Sequence, residues 1–193
     1  MNEEQKIIKK YFLPIADNPE SLELSNDAAF INKQENMVIS SDMMIEDVHF
    51  DKLDDPFCLA QKLLRVNLSD IAAMGAQPYG YILNLSIPKL NHELWLKRFC
   101  KGLAKDSEKF NLKLFGGDLS SSKNIFMSVT ILGLVSKKFH KKMIAHEGSE
   151  IFVSDTLGDA GIGLQIKKGK FSKLKKSEKF FFLSKFNKPI PQI

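Results

Sequence analysis

Cysteine is nearly missing from this 193-residue chain, which holds only Cys58 and Cys100. Two lone thiols so far apart match neither a disulfide framework nor a zinc-binding spacing, and neither is given a role. Long apolar runs are missing too, and none approaches the ~20 residues that a membrane-spanning helix needs. The opening MNEEQKIIKKYF carries two early acids and lacks the apolar stretch of a signal peptide. These absences predict a cytoplasmic protein that does not engage membranes. No internal repeat is present. With 44% hydrophobic and 26% charged residues, the chain reads as an ordinary globular protein, long enough for one domain with a full core or one domain plus part of another.

Positive charge is plentiful but unevenly placed. The formal net charge is +5, nine lysines follow Leu164, and KKFHKK at 137–142 adds four more. Four windows contain no lysine or arginine: Glu20 to Asn32, Met37 to Asp51, Val66 to Pro88, and Leu114 to Ser122. They hold Asp27, Asp42, Asp70 and Asp118, acids with no basic neighbour in sequence. The Lys-rich stretch 167–179 lacks interleaved aromatics and arginines, so it reads as a solvated face and no nucleic-acid partner is expected.

The pattern along the chain predicts helices near 3–12, 56–74 and 91–110, the last opening at Asn91. Strands are expected at 27–32, 37–42, 80–87, 112–115 and 125–135. In the second helix Asp54 or Asp55 can cap the start, Pro56 fits the first turn, and Ala60, Leu63, Leu64, Leu68, Ile71 and Ala72 recur at helical spacing. The order predicts an α+β, mixed-sheet domain over 1–140. Residues 150–166 read as strand, turn and short helix. They cannot bury their own apolar faces, so 141–193 is expected to be the incomplete start of a second α/β domain.

Asp70 poses a question. It sits near the end of a helix that stops at Gly75, where the dipole's negative pole disfavours a carboxylate by a few tenths to ~1 kcal/mol. A bound cation would resolve this. Ser40, Ser41 and Asp42 form one oxygen-rich cluster, Asn67 and Asp70 lie three apart on one helix face, and Gly116-Gly117 precedes Asp118. Oxygen donors of this kind suit Mg²⁺, which keeps some waters and bridges to substrate phosphates. Alone, an Asp after a strand is a turn former or cap, and His49 is a polar residue near a strand end. The glycine-containing GDAGIG at 158–163 has no Walker-type lysine after it and reads as a tight turn.

Three stretches, VISSDMMIEDVHF (38–50), VNLSDIAAMGAQP (66–78) and LFGGDLS (114–120), resemble the thiamine-monophosphate kinase family in order and spacing. GSEIFVSDTLGDAGIGL (148–164) resembles it more loosely. The resemblance implies the N-terminal domain of the aminoimidazole-ribonucleotide synthetase-like fold, its sheet packed against helices. It implies ATP- and Mg²⁺-dependent phosphorylation of thiamine monophosphate to thiamine diphosphate, with no protein nucleophile. Asp27, Ser40, Ser41, Asp42, Asp70 and Asp118 are then the metal ligands. Gly117, Asp118 and Lys142 contact ATP, and His49 contacts the thiamine phosphate. A homodimer that pairs its sheets is implied as well.

Some positions depart from the family's pattern. A family glycine is Asp47 here, one of two adjacent acids is Asn26, and Lys142 stands for an arginine, keeping charge without the bidentate fork. The chain ends at NKPIPQI, where the family continues into a large second domain. The competing expectations are a catalytically inactive fragment that dimerises and binds Mg²⁺ or nucleotide, and a related ATP-dependent synthetase.

Overall fold

In 126–135, Met127, Val129 and Ile131 alternate with Ser128 and Thr130, so a strand there has one apolar face. The computed structural model describes residues 3–88, 93–135, 139–142 and 145–193; the expected helix start at Asn91 and the basic pair 137–138 lie outside them. It has strands β1 (Asn36–Ile45), β2 (Gln77–Ile87), β3 (Lys113–Ser121) and β4 (Phe126–Val135). The helices are α1 (Glu3–Ile7), prolonged by wider turns to Phe12, α2 (Pro56–Ala73), α3 (Glu93–Lys109), α4 (Asp159–Lys167) and α5 (Lys176–Asn187). One mixed sheet runs β1-β4-β2-β3, antiparallel except for the β2–β3 pair that α3 connects. This is the expected α+β domain.

Helices α2 and α3 cover one face of the sheet. The predicted stripe on α2 is what they bury: Leu63, Leu64, Leu68 and Ile71 meet Phe99 and Leu103 of α3 and Tyr81, Val129 and Ile131 of the sheet, all fully enclosed. Each such side chain contributes about 1.5–3 kcal/mol. Behind this layer Asp106 is fully buried and accepts hydrogen bonds from Arg65 Nε (2.6 Å), Arg65 Nη2 (2.9 Å) and Gln61 Nε2 (2.6 Å). That network joins α2 to α3.

The opposite face is covered only at one end, by Ala29 and Ile31 packed on Tyr79, Phe115 and Leu132. Along the β1 edge, Ile39 and Met43 remain 66% and 51% exposed. Residues 27–32 are therefore not the strand their alternation suggested. Their apolar side chains are satisfied by lying on a sheet face, and the Phe30 N–H donates to the Glu20 carbonyl (2.9 Å) rather than to a ladder. Leu22, Glu23 and Leu24, just before, all have left-handed φ (50°, 58°, 52°), which turns the chain out of extended geometry.

β3 runs farther than the expected 112–115. Tyr81 pairs with Leu114 and Ile82 with Gly116, so Phe115 is an extra residue whose ring crosses to the open face. At Gly117 (φ 154°) a Cβ would lie 1.7 Å from the Leu83 carbonyl oxygen, and only glycine fits.

At the C-terminal end, 150–153 form no strand. Among the described residues no neighbouring strand takes their backbone groups, and Ile151 and Phe152 stay 93% and 83% exposed. α4 and α5 lie against each other, close enough that a Cβ on Gly163 would meet the Phe182 carbonyl at 2.2 Å. No described helix is long and apolar enough to cross a membrane.

Candidate metal and nucleotide site

Asp55 is the N-cap of α2, its side chain accepting from Phe57 N–H (3.1 Å). At the other end Gly75 takes φ 68°, with Ala76 N–H donating to Ile71 O (3.1 Å) and Gly75 N–H to Ala72 O (2.9 Å). This closing motif fixes the last turn, and with it Asp70. The side chain of Asp70 is exposed and accepts a 2.6 Å hydrogen bond from Ser40 Oγ.

On the same edge strand Asp42 is also exposed, and its backbone N–H donates to Asn67 Oδ1 (3.0 Å). Asn67 is fully buried and its amide nitrogen donates to Leu63 O (2.9 Å). Asn67 is thus used at both ends, its oxygen pinning β1 to α2 and its nitrogen returning to its own helix, leaving Ser40, Asp42 and Asp70 as the outward oxygen donors of this group.

A second group lies at the other edge. Asp27, Gly117 and Asp118 line one cleft of about 500 Å³, formed by β2, β3 and the segment that follows Pro19. Asp118 accepts from Ser120 Oγ at 2.7 Å. The segment carrying Asp27 is anchored by Glu20, which accepts from Tyr79 Oη and Lys113 Nζ at 2.6 Å each. Burial pushes the Glu20 carboxyl up, but those two hydrogen bonds more than offset it and the net direction is below its ordinary 4.5.

The pairing register measures how far apart the two groups stand. Asp42 pairs with Val129, Val129 with Leu83 and Leu83 with Gly117. Three strand spacings separate the edges, about 14 Å. Among the described residues no three His, Cys, Asp or Glu side chains come together as a metal cluster. The six expected ligands are therefore divided between two edges rather than gathered at one point.

Ser41 is divided from its neighbours in another way. Strand alternation turns it to the open face, where its hydroxyl lies 3.1 Å from both Val129 O and Thr130 Oγ1. None of Asp27, Asp42, Asp70 or Asp118 belongs to an ion pair among the described residues. The windows' outer acids Glu20 and Asp51 do find lysines, Lys113 and Lys167, while these four do not.

His49 is exposed in the turn after β1. Its Nδ1 accepts from Ile45 N–H (3.1 Å), so the neutral ring carries its proton on Nε2. Asp47 in that turn has φ 66°, which accounts for a glycine there in the family pattern. Lys142 is exposed and does not line the cleft with Gly117 and Asp118. The chain just before it is held against the end of α2, where His140 N–H donates to Met74 O (3.0 Å). Asn26, noted from sequence as a departure from the family pattern, also lines the cleft, as does Asn84, which was not singled out. Asn84 carried a usable signal, a polar residue inside an apolar strand, and it pairs with Asp118.

The family model described as "AIR synthase related protein, N-terminal domain" matches residues 25–135. This chain belongs to that family. The match takes in both oxygen-donor groups and the whole sheet. The AIR synthase-related chain is 35% identical over 195 residues to the thiamine-monophosphate kinase of Haemophilus influenzae, covering 97% of itself and 58% of that relative. Its fold is similar to the crystal structure of thiamine-monophosphate kinase from Stenotrophomonas maltophilia, with TM-score 0.81 and 29% identity over 97% of this chain and 60% of that one. It is also similar to the structure of AaThiL complexed with AMPPCP and TMP, with TM-score 0.76 and 26% identity over 86% and 53% of the two chains. This chain thus spans less than two thirds of the length of these relatives.

Proposed function

We propose that this chain is the ATP- and magnesium-binding portion of an enzyme that phosphorylates thiamine monophosphate to thiamine diphosphate by direct phosphoryl transfer. The observation that carries this reading is four exposed aspartates that, among the described residues, form no ion pair with a lysine or arginine. The motif stretches and the names of the relatives support it.

The donor set fits magnesium in its chemistry, since every candidate is a hard oxygen and each is exposed enough to share the ion with water. Ser40, Asp42 and Asp70 would hold one ion at one edge and Asp27 and Asp118 another at the other edge, with Ser41 contributing from the open face. Bound there, magnesium would supply neutralisation of phosphate charge. The chain's own groups do the positioning: Gly117 and Asp118 in the cleft receive ATP and His49 Nε2–H donates to the thiamine phosphate, whereas Lys142 stands outside that cleft and is given no contact with ATP within one copy. No nucleophilic side chain is needed, because positioning and charge stabilisation carry phosphoryl transfer.

Two donor groups on opposite edges of one sheet, beside an open apolar face, support a homodimer in which a second copy completes the site. Ile39 and Met43 would be covered in that pairing. Residues 1–140 form the metal, ATP and dimerisation domain in this reading, and 141–193 open a second domain. The exposure of Ile151, Phe152 and Leu157 supports that division. A cytoplasmic location fits two unpaired cysteines.

The test is ADP release by the purified chain with magnesium and ATP, with thiamine monophosphate present and absent. Release that depends on thiamine monophosphate supports the kinase reading. A second reading is favoured by the division of the donor groups between two edges: a chain that binds magnesium and nucleotide without turnover. It predicts no ADP release, but saturable, magnesium-dependent binding of an ATP analogue. Absence of both refutes the site.

A further inference from the structure

Lys167, in the last turn of α4, reaches across to the loop between β1 and α2, and the mechanism above makes no use of it. Its Nζ lies 3.1 Å from Asp51 Oδ2 and pairs with Asp54 Oδ2 as well. Among the described residues these are the only ion pairs that join 141–193 to the rest of the chain. The side chains of Lys167 and Asp54 are 22% and 18% exposed, so water screens their attraction less than that of an ordinary surface pair. The negative pole of α4 suits a cation at this place, and the centre of the Phe186 ring of α5 lies 6.0 Å from the amine. Lys167 is thus held from its own side.

Asp51 and Asp54 lie three apart in one turn, which their own groups close. Asp51 N–H donates to Asp54 Oδ2 (3.0 Å), Leu53 N–H to Asp51 Oδ1 (3.0 Å) and Asp54 N–H to Asp51 O (3.0 Å). Two carboxylates so close repel each other, and among the described residues Lys167 is the one cation paired with either. Its hydrogen bond is the largest cause that holds the Asp51 carboxyl below its ordinary 3.8. Asp51 stands two residues after His49. Between them Phe50 is buried, and its carbonyl accepts from Asp47 N–H (2.8 Å). Burial fixes where Phe50 sits, and the paired Asp51 fixes the direction in which the backbone leaves it.

We propose that Lys167 is a positioning residue: from α4 it clamps the loop that carries His49, so that the imidazole is presented to the phosphate monoester of the substrate. This role rests on His49 serving that phosphate as proposed, and adds the group that holds it there. A loop already fixed delivers His49 Nε2–H with no ordering cost at the moment of binding. It also makes the substrate group of 1–140 depend on the seating of α4.

The experiment uses the full chain with Lys167→Met, Lys167→Arg and, as a control on the exposed basic surface, Lys170→Met. Amide hydrogen exchange over 46–54, read by peptide mass spectrometry, should rise about tenfold in Lys167→Met with the α2 and α3 amides unchanged, and stay as in wild type in the other two. By calorimetry with magnesium present, Lys167→Met should bind thiamine monophosphate about tenfold more weakly and a non-hydrolysable ATP analogue as wild type does. Lys167→Arg keeps the charge and can span both carboxylates, so substrate binding should return. Unchanged exchange over 46–54, equal weakening of both ligands, or no rescue by arginine overturns the proposal. His49→Ala separates these failures from that of the reading beneath: if it binds thiamine monophosphate as wild type does, the role of His49 falls and the positioning role with it. If His49→Ala weakens binding and Lys167→Met does not, the positioning role alone is overturned.

Discussion

Replacing Asp70 with asparagine separates the two roles open to a carboxylate at the end of a helix. As a structural group, Asp70 sits in the last turn of α2, where its charge is unfavourable by about 0.3–1 kcal/mol at an exposed position. Against this stands the 2.6 Å hydrogen bond from Ser40 Oγ. A bond to a charged acceptor contributes about 1.5–3 kcal/mol and one to a neutral acceptor about 0.5–1.5, so asparagine forfeits about 1 kcal/mol there. The two changes nearly cancel, and Asp70→Asn should shift the urea unfolding free energy by less than about 1 kcal/mol. Removing a metal-holding charge is different in kind: magnesium-dependent binding of a non-hydrolysable ATP analogue should weaken at least about tenfold, or 1.4 kcal/mol, by calorimetry. The reasoning is refuted by a variant that loses more than about 2 kcal/mol of stability, or by one that binds nucleotide with unchanged affinity.

Three other measurements bear on the fold around the site. Asp106→Leu leaves Arg65 buried without its partner and should cost about 3–5 kcal/mol in urea melts, while adding Arg65→Met should recover most of it; a single-variant loss under about 1 kcal/mol would discard the network's role. Asp47, at φ 66°, should gain about 0.5–1 kcal/mol on change to glycine and lose stability on change to alanine, and an alanine variant as stable as wild type would contradict the left-handed geometry. Glu20 titrates below its ordinary 4.5 in the folded chain, so its contribution is full above that value and is lost as pH falls through the folded one. Acid unfolding of Glu20→Gln should accordingly begin from a lower plateau and show a shallower fall in that window, and identical profiles would count against the anchor.

Much of α2 was legible because its determinants are local. The apolar stripe, Asp55 before Pro56 and Gly75 after the last turn each act within a few residues, and all took the expected places. The stretch 27–32 failed for the opposite reason. Its alternation reports only that Ala29 and Ile31 need an apolar surface, and the open face of the sheet supplies one without a ladder. Gly116-Gly117 fell beyond the expected strand 112–115, yet both belong to β3, and at Gly117 the parallel neighbour Leu83 approaches where a side chain would collide. In the C-terminal part, Ile151 to Val153 have strand-like residues and, among the described residues, no partner strand. Their conformation therefore depends on neighbours the sequence pattern does not name.

The location of the acids was the least legible feature, and strand order explains why. Motif order along the chain places Asp42, Asp70 and Asp118 in succession, which invites the picture of one converging site. The α3 connection instead lays β3 outside β2, and β4 returns between β2 and β1. Every group on β1 is thereby held three strands from every group on β3, whatever the loops do. A hydrogen-bonded sheet cannot shorten that separation by local adjustment, so a single phosphate-bound ion cannot be shared by Asp42 and Asp118 of one isolated sheet. Either each edge holds its own ion along an extended triphosphate, or a second copy brings its β1 edge towards this β3 edge. The two arrangements separate by mixing experiments. Asp70→Asn and Asp118→Asn chains, each unable to bind nucleotide alone, should regain about half of the sites or fewer when combined only if the site is shared between copies, and none if each chain binds by itself.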